Sequence, residues 1–79
     1  MAETVIVYST PFCAPCERLK RYLKSLEVEF RVVDLMMDEE AADLMASKKL
    51  YGAPVLQVGE QFLAGQNLVP ENINAALGI

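Results

Sequence analysis

Two cysteines separated by two residues, Cys13 and Cys16, stand where one sequence pattern gives way to another. A β-branched and aromatic run, Thr4–Ser9, precedes them, and a segment with helical periodicity follows them. The pair is therefore predicted to lie between a strand and the first turn of a helix. Because thiols one helical turn apart return to the same face of a helix, this arrangement predicts a redox pair at a helix N-terminus.

The position of Cys13 predicts the more reactive of the two thiols. At a helix N-terminus, unpaired backbone N–H groups and the positive end of the helix dipole favour the thiolate, which is the form that attacks a disulfide. Cys16 follows one turn later, where it can attack a mixed disulfide formed on Cys13. The spacing thus suggests one attacking and one resolving thiol.

The length and composition limit both the size of the core and the range of partners. A chain of 79 residues predicts one domain over residues 1–79, with a modest core. Apolar residues make up 53% of it and charged residues 23%, which favours a packed fold over disorder. The formal net charge of −4 argues against a general affinity for nucleic acid.

The sequence is also expected to be that of a cytoplasmic protein without a membrane segment. No apolar run has the length of a bilayer span, and no basic segment leads into the apolar core of a signal peptide. In the cytoplasm, a close cysteine pair is more often catalytic, redox-sensing or metal-binding than a permanent structural bridge. We therefore expect stability to come mainly from packing, since a disulfide between these cysteines closes a very small loop.

The first half of the chain has the pattern of a βαβ unit. A strand is predicted over Thr4–Ser9, and a second strand over Val28–Leu35, where apolar and polar residues alternate at first. Between them an amphipathic helix is predicted to run to about Leu26, with apolar positions at Leu19, Tyr22, Leu23 and Leu26. This order is typical of two parallel strands joined by a helix.

A second helix is predicted to begin after Asp38, which can cap it. Its last turn is predicted to contain Lys48 and Lys49, which complement the negative end of the helix dipole, and Gly52 follows as a helix breaker. The residues predicted to face inward are Ala41, Ala42, Leu44 and Met45.

The last third predicts a hairpin followed by a short helix. Val55–Val58 and Gln61–Ala64 are apolar runs joined by Gly59-Glu60, which indicates two antiparallel strands. Pro70 then marks the start of a terminal helix, since proline is tolerated in a first helical turn. The complete predicted order is βαβαββα.

Three segments together resemble the glutaredoxins, a family of thioredoxin-fold redoxins. They are the Val7-Tyr8-Ser9 strand before Cys13-Ala14-Pro15-Cys16, the Ala53-Pro54-Val55 segment, and Ala64-Gly65 after the last strand. The resemblance extends over nearly the whole chain. It implies an α/β, thioredoxin-like fold in which three helices flank a four-stranded mixed sheet. It also implies a dithiol–disulfide oxidoreductase with Cys13 as nucleophile and Cys16 as resolving thiol.

The resemblance also implies a substrate-binding site around the cysteines. In similar proteins the proline that corresponds to Pro54 is cis and lies beside the cysteines, and the backbone at Ala53 pairs with an extended substrate. Phe12 is expected to be exposed beside the site, whereas Tyr8 is expected to be structural. The other residues implied in substrate binding are Gly65, Gln66 and Asn67.

Two departures from the family pattern concern the reductant. Members that use glutathione typically have a Lys shortly before the first cysteine, where this chain has Thr10 and no cation. They also tend to have Gly-Gly followed by acidic residues after the last strand, where this chain reads Ala-Gly-Gln-Asn-Leu over 64–68. The chain is also similar to short NrdH-type redoxins, which receive electrons from thioredoxin reductase.

The resemblance therefore leaves two reductants open, thioredoxin reductase and glutathione as a co-substrate. The expected partners are disulfide-containing proteins, the protein itself is expected to be a monomer, and no tightly bound cofactor or metal is expected.

One alternative function is that of a glutathione-dependent glutaredoxin that acts on glutathione mixed disulfides through Cys13 alone. Two others are an iron–sulfur or metal carrier and a non-catalytic interaction module. A carrier would need further ligands, and the chain has no His and no third Cys.

Two further groups of side chains can be interpreted either as ordinary structural residues or as functional ones. Four of the seven basic residues lie on the first predicted helix, namely Arg18, Lys20, Arg21 and Lys24. Such a cluster is most often a solvated face, but Arg18 is near enough to the cysteines to favour a thiolate or to steer an acidic partner. Met36, Met37 and Met45 are predicted to be flexible core filler rather than metal ligands.

Overall fold

Seven helices and strands follow one another in the computed structural model, which describes residues 4–79; residues 1–3 of the predicted domain lie outside that range. The elements are β1 (Val5–Ser9), α1 (Ala14–Ser25), β2 (Arg31–Asp34), α2 (Glu39–Ser47), β3 (Val55–Val58), β4 (Gln61–Ala64) and α3 (Pro70–Leu77). A short 3-10 helix, Gly65–Asn67, connects β4 to α3. The predicted βαβαββα order is confirmed. None of the helices within 4–79 is both long and apolar enough to cross a membrane.

The four strands form one mixed sheet in the order β2-β1-β3-β4. The parallel pairing of β1 with β2 places Ser9 opposite Asp34, and the antiparallel pairing of β1 with β3 places Tyr8 opposite Val55. Strands β3 and β4 form the predicted hairpin. As a result, four connecting segments meet at one end of the sheet, namely 10–13, 35–38, 51–54 and 65–68. We call this the cysteine end and its opposite the far end.

The sheet separates two hydrophobic clusters. Helices α1 and α3 cover one face, where the buried residues are Val5, Val7, Leu19, Leu23, Leu56, Val58, Leu63 and Ile73. Helix α2 covers the other face, where the buried residues are Tyr8, Ala41, Met45 and Val55. Because both faces of the central strands β1 and β3 are covered, their sequences are nearly continuous apolar runs instead of alternating ones.

Just after helices α1 and α2, the chain contains a residue with left-handed backbone that is not glycine. After α1, Glu27 has φ 59°, its N–H donates to the carbonyl of Lys24 at 3.0 Å, and the N–H of Val28 donates to the carbonyl of Leu23 at 3.1 Å. The same pair of bonds ends α2 around Lys49, which also has φ 59°. These bonds satisfy carbonyl groups that the helix leaves unpaired.

The ends of two predicted elements are corrected by this geometry. Strand β2 covers Arg31–Asp34 instead of the predicted Val28–Leu35, since the N–H of Val28 is used to close α1. Helix α2 begins after the predicted cap Asp38, whose carboxylate accepts from the N–H of Ala41 at 3.0 Å. It ends at Ser47, so the two lysines follow the helix and do not lie in its last turn.

The prediction that Met36 and Met37 fill the core is wrong. They are 72% and 82% exposed, whereas Met45 is buried as predicted. The carbonyl of Asp34 accepts the N–H groups of Met37 and Asp38, and this tight turn carries the chain away from the sheet before α2 begins. Leu44, predicted to face inward, is also exposed on α2.

The two ends of the described chain lie together at the far end of the sheet. Thr4 and Ile79 line the same shallow cleft, together with Val58 at the end of β3. The carbonyl of Thr4 accepts the N–H of Gly59 at 2.9 Å, which fixes the start of β1 beside the hairpin turn. The far end is thus formed by the first and last described residues and a turn, and the cysteines lie at the opposite end.

Candidate active site

A disulfide joins Cys13 and Cys16 at the start of α1, and their Cα atoms are 5.2 Å apart. Cys13 is the N-cap of the helix and has extended backbone, with φ −108° and ψ 103°. The N–H of Cys16 donates to the sulfur of Cys13 at 3.1 Å. A backbone N–H donor and a helix N-terminus at this position favour the thiolate form of a cysteine. The structure therefore places both cysteines where the sequence predicts them.

The two sulfurs differ in their access to solvent. Cys13 is partly exposed, whereas Cys16, in the first turn of α1, is 0% exposed. A disulfide substrate must approach the attacking sulfur in line with the bond that breaks, so only an accessible thiol can begin the exchange. The difference in exposure therefore favours Cys13 for the first attack and Cys16 for an attack within the protein.

The first turns of α1 also contain a partly exposed ion pair and a proline. Pro15 lies in the first turn, where its missing N–H leaves no helical hydrogen bond unmade. Glu17 pairs with Lys20, and the hydrogen bond from Lys20 lowers the pKa of the Glu17 carboxyl below its ordinary value. Within residues 4–79, no three His, Cys, Asp or Glu side chains are placed to hold a metal ion.

The loop before β3, residues 51–54, lies beside the loop before α1, residues 10–13, which we call the cysteine loop. The Ala53–Pro54 peptide bond is cis, as the family resemblance implies. Because Tyr8 of β1 lies opposite Val55 of β3, the residues that follow β1 adjoin those that precede β3. Gly52 has φ 102°, a conformation that residues with a side chain rarely adopt, so this loop requires a glycine there.

A groove of about 640 Å³ runs from the first turns of α1 along this loop to the start of α3. Most of its described lining is apolar, and Arg18 is the one charged residue in it. The lining includes Pro15, Arg18, Tyr22, Tyr51, Ala53, Pro54, Gly65 and Leu68. The groove can therefore take an extended, largely apolar segment with one negative charge.

The predicted substrate-binding residues lie in three different settings. Ala53, Pro54 and Gly65 line the groove. Phe12 is 106% exposed in the loop before Cys13 and has φ 58°, which is uncommon for a bulky side chain. Gln66 and Asn67 are exposed on the 3-10 helix beside the groove and are not among the residues that line it.

No pattern in the sequence marks Tyr51 or Leu68 as groove residues. Tyr51 is 80% exposed and directly precedes the Gly-Ala-Pro segment. Its place next to that segment is the only sequence feature that could have indicated a position at the site. Leu68 lies beyond the 3-10 helix, and its position facing α1 depends on how α3 packs. No local pattern distinguishes such a residue from an ordinary core leucine.

Comparison with known proteins gives one family. The sequence model of the glutaredoxin family matches residues 5–63. A glutaredoxin-like 8.6 kDa protein in the rubredoxin operon of Clostridium pasteurianum, itself uncharacterized, is 34% identical over 62 residues. That match covers 77% of this chain and 83% of the relative.

Solved structures with the same fold include two redoxins. The thioredoxin-like protein BC3987 superposes with a TM-score of 0.81 at 27% identity, over 94% of this chain and 100% of its own. The glutaredoxin-like NrdH-redoxin of Escherichia coli superposes with a TM-score of 0.82, over 91% of this chain and 92% of its own. Its identity is 22%, so this likeness concerns the fold alone.

These comparisons confirm the predicted α/β, thioredoxin-like fold. The family match begins at β1 and ends within β4, so it includes both the cysteine loop and the loop with the cis-proline. The chain therefore belongs to the glutaredoxin family, and its Cys13–Cys16 pair is the redox-active disulfide of a thiol–disulfide oxidoreductase.

Proposed function

We propose that this protein reduces disulfides of proteins or small molecules by a two-thiol mechanism in which Cys13 attacks and Cys16 resolves. The observation that carries the proposal is the difference between the two sulfurs. Cys13 is accessible and accepts the N–H of Cys16, whereas Cys16 is fully buried. Only one of them can meet a substrate, and only the other stays within reach once a substrate is attached.

The first step is attack of the Cys13 thiolate on one sulfur of the substrate disulfide. A new bond forms between Cys13 and that sulfur, the substrate S–S bond breaks, and the second substrate sulfur leaves as a thiolate that takes up a proton. The N–H of Cys16 and the N-terminus of α1 stabilise the attacking thiolate before the step.

In the second step the Cys16 thiolate attacks the sulfur of Cys13. The mixed disulfide breaks, the Cys13–Cys16 bond forms, and the first substrate sulfur leaves as a thiolate. Two electrons have then passed from the dithiol to the substrate. Because Cys16 lies one helical turn from Cys13, the second attack needs no movement of another element.

Substrate positioning is assigned to the groove beside the disulfide. An extended substrate segment lies along the backbone at Ala53 and Pro54, with Phe12 and Gly65 at the two sides. Gln66 and Asn67 are assigned polar contacts at the outer end of the groove. The apolar lining favours a peptide over a strongly charged small molecule.

Thioredoxin reductase is the proposed reductant. Glutathione carries two carboxylates, whereas Arg18 is the one charged residue among those described in the groove, and the chain has no cation before Cys13. The protein is proposed to act as a monomer in the cytoplasm, where a reductase can regenerate the dithiol and where the activity contributes to electron transport and redox homeostasis.

Two single variants test the mechanism, Cys13→Ser and Cys16→Ser. We expect Cys13→Ser to abolish the reduction of a protein disulfide such as that of insulin. We expect Cys16→Ser to lose turnover with thioredoxin reductase and to accumulate a mixed disulfide at Cys13, which mass spectrometry detects. Both variants are measured with NADPH and thioredoxin reductase, and separately with glutathione and glutathione reductase.

The two assays separate the proposal from its alternative. Wild-type turnover with thioredoxin reductase, together with loss of turnover in Cys16→Ser under both reductants, supports the two-thiol mechanism. If Cys16→Ser keeps wild-type turnover with glutathione, the protein is a glutathione-dependent enzyme that works through Cys13 alone. Turnover by Cys13→Ser would contradict both mechanisms.

A further inference from the structure

The most exposed large hydrophobic side chains of the described residues gather at the cysteine end. They are Phe12 at 106%, Met37 at 82%, Tyr51 at 80% and Met36 at 72%. Phe12 and Tyr51 belong to the loops of the site described above, whereas the two methionines belong to neither loop. An apolar surface of this kind around a reactive group is typical of a site for a protein partner.

The methionines are held outward by an ordered turn. The N–H of Met36 donates to the carboxylate of Asp34 at 2.8 Å, and the N–H of Met37 donates to the carbonyl of Asp34 at 3.1 Å. The N–H of Leu35 donates to the carbonyl of Ser9 at 2.8 Å, which ties the turn to the end of β1. The backbone of this turn is thus satisfied, so exposure of both side chains is built into the fold.

We call the turn that contains Met36 and Met37 the methionine turn. This turn and the groove lie on opposite sides of the disulfide. Across the sheet, the turn follows the edge strand β2 and the cysteine loop follows β1. The groove is lined by the segments next to β3 and β4, together with the first turns of α1 and the start of α3. A partner whose disulfide reaches Cys13 can therefore contact the groove on one side and the methionines on the other. Flexible, polarisable methionine side chains suit a surface that accepts partners of varied shape.

The charge around the methionine turn is predominantly negative. A shallow cleft beside Met37 is lined by Asp34, Asp38, Glu39 and Glu40, with Arg31 as the one cation among its described residues. The basic residues of α1 lie on the other face of the sheet, since α1 and α2 cover opposite faces. The turn therefore has an apolar centre and an acidic rim, which is complementary to an apolar surface flanked by Lys or Arg.

We propose that Met36 and Met37, with Glu39 and Glu40 at their rim, form a docking surface for protein substrates that carry an apolar patch and basic residues near their reactive disulfide. This inference rests on the proposed function, because the docked partner is the protein whose disulfide Cys13 attacks. The surface sets which disulfides are reduced quickly, and the exchange chemistry at Cys13 and Cys16 stays the same.

Peptide substrates that differ only in charge test the docking surface. Two peptides of about 12 residues, about 40 Å when extended, contain a central cysteine and the same leucines, and differ in having lysines or glutamates. The cysteine of each is a mixed disulfide with thionitrobenzoate. Cys13 of the reduced protein attacks the peptide sulfur and releases coloured thionitrobenzoate. Cys16 then displaces the peptide thiol, so the protein supplies both electrons. The mercaptoethanol–thionitrobenzoate disulfide is the small probe.

The expected result is a preference for the basic peptide that depends on this surface. Wild type should react about three- to tenfold faster with the basic than with the acidic peptide, as one or two rim charge pairs would give. In Glu39→Gln/Glu40→Gln this ratio should fall towards one. In Met36→Gln/Met37→Gln the rate constant for the basic peptide, divided by that for the small probe, should fall by about tenfold, as partial burial of two methionines would give.

The control and the contrary outcomes keep the two proposals apart. Ile79→Gln replaces an exposed hydrophobic residue at the far end and should leave all three rate constants unchanged. If wild type reacts with the small probe but both peptides react equally, or the variants keep the wild-type ratios, the docking surface is wrong. If wild type does not react with the small probe, the proposed function itself fails. A wild-type dimer that Met36→Gln/Met37→Gln dissociates would show that a second copy of the chain occupies this surface instead.

Discussion

Tyr8 is a core residue of β1 whose hydroxyl group donates a hydrogen bond to a neighbouring strand. Its Oη donates to Oε1 of Gln57 at 2.5 Å, and Nε2 of Gln57 donates to the carbonyl of Gly59 at 2.8 Å. Its ring lies near Phe62, with centroids 6.4 Å apart. These contacts confirm the structural role expected for Tyr8, and they link β1 to the hairpin through a polar pair.

Replacing Tyr8 with Phe should change how stability depends on alkaline pH. Burial, and to a lesser degree the charge of Asp38, raises the pKa of Tyr8 above its ordinary value of 10.0, while Arg31 acts in the opposite direction. In the unfolded chain the tyrosine ionises near that ordinary value, so the folded state retains a proton that the unfolded state loses. This contribution to stability is complete below pH 10 and is lost as pH rises through the raised pKa.

Urea unfolding over a pH series measures this effect. The free energy of unfolding of wild type should decline above pH 10 more steeply than that of Tyr8→Phe. At neutral pH, Tyr8→Phe should be less stable by about 1 kcal/mol, because Gln57 loses its hydrogen-bond donor. Tyr51→Phe, at an exposed position, is the matched control and should follow wild type. Parallel declines for wild type and Tyr8→Phe would contradict the assignment.

At the scale of elements, the caps of α1 and α2 are followed by Glu27 and Lys49, in a backbone conformation that glycine adopts most easily. Both side chains are exposed, so neither position is needed for packing. The two residues differ in charge: a cation favours the negative end of a helix dipole, whereas an anion disfavours it. Glu27 is therefore unfavourable at its position for two independent reasons.

Glu27→Gly should stabilise the protein. Glycine avoids the steric cost of left-handed backbone, at some cost in chain entropy, and it removes a negative charge from the end of α1. The free energy of unfolding should rise by about 0.5–1 kcal/mol. Glu27→Gln, which removes only the charge, should give a smaller rise, and Lys49→Gly should gain less than Glu27→Gly because it loses a favourable charge. The result is read from the midpoint of urea unfolding at constant slope, and a lower midpoint for Glu27→Gly would contradict it.

Elements that local chemistry specifies were predicted well from the sequence. The cap at Asp38, the Gly59-Glu60 turn and the start of α3 at Pro70 each depend on a few adjacent residues. The predicted start of β2 at Val28 was wrong because Val28 still belongs to the hydrogen bonds that close α1. No glycine marks the end of α1, so the sequence around Glu27 contains no helix stop signal. The prediction that Met36 and Met37 fill the core was wrong because an apolar pair between a strand and a helix can face either the core or the solvent. Tertiary packing decides which of the two occurs.

The same distinction between local motifs and tertiary packing applies to the residues of the site. Cys13 and Cys16 form a short motif, so the sequence was enough to predict their place, whereas the cis bond at Pro54 was predicted from the family resemblance. The groove, in contrast, brings Pro15 together with Leu68, more than fifty positions later in the chain. Its shape depends on how α3 packs against α1, for which no single segment carries a signal.

For the molecule as a whole, most of the stability comes from packing on both faces of the sheet and little from the disulfide. The cysteines are separated by only three positions, so the bond removes little freedom from the unfolded chain. The two hydrophobic clusters share the central strands β1 and β3, which ties α1, α2 and α3 to one sheet. Folding is therefore expected to be cooperative in both redox states.

Reduction of the disulfide should leave the protein folded. The free energy of unfolding of the reduced protein should lie within about 2 kcal/mol of the oxidised value, which is the chain-entropy estimate for so short a loop. Urea unfolding with and without reductant measures the difference, and Cys13→Ser/Cys16→Ser, which can form no disulfide, serves as the control. A reduced protein that unfolds without denaturant would show that the bond is structural.

The shared position of Thr4 and Ile79 at the far end of the sheet has a consequence for how the protein can be handled. A linker, label or solid support attached at either of these residues leaves the cysteine loop, the groove and the methionine turn facing the solution. A short connection between these two residues would also allow the chain to be opened elsewhere, for example at the exposed hairpin turn around Glu60. Redox chemistry and attachment thus use opposite ends of one small sheet.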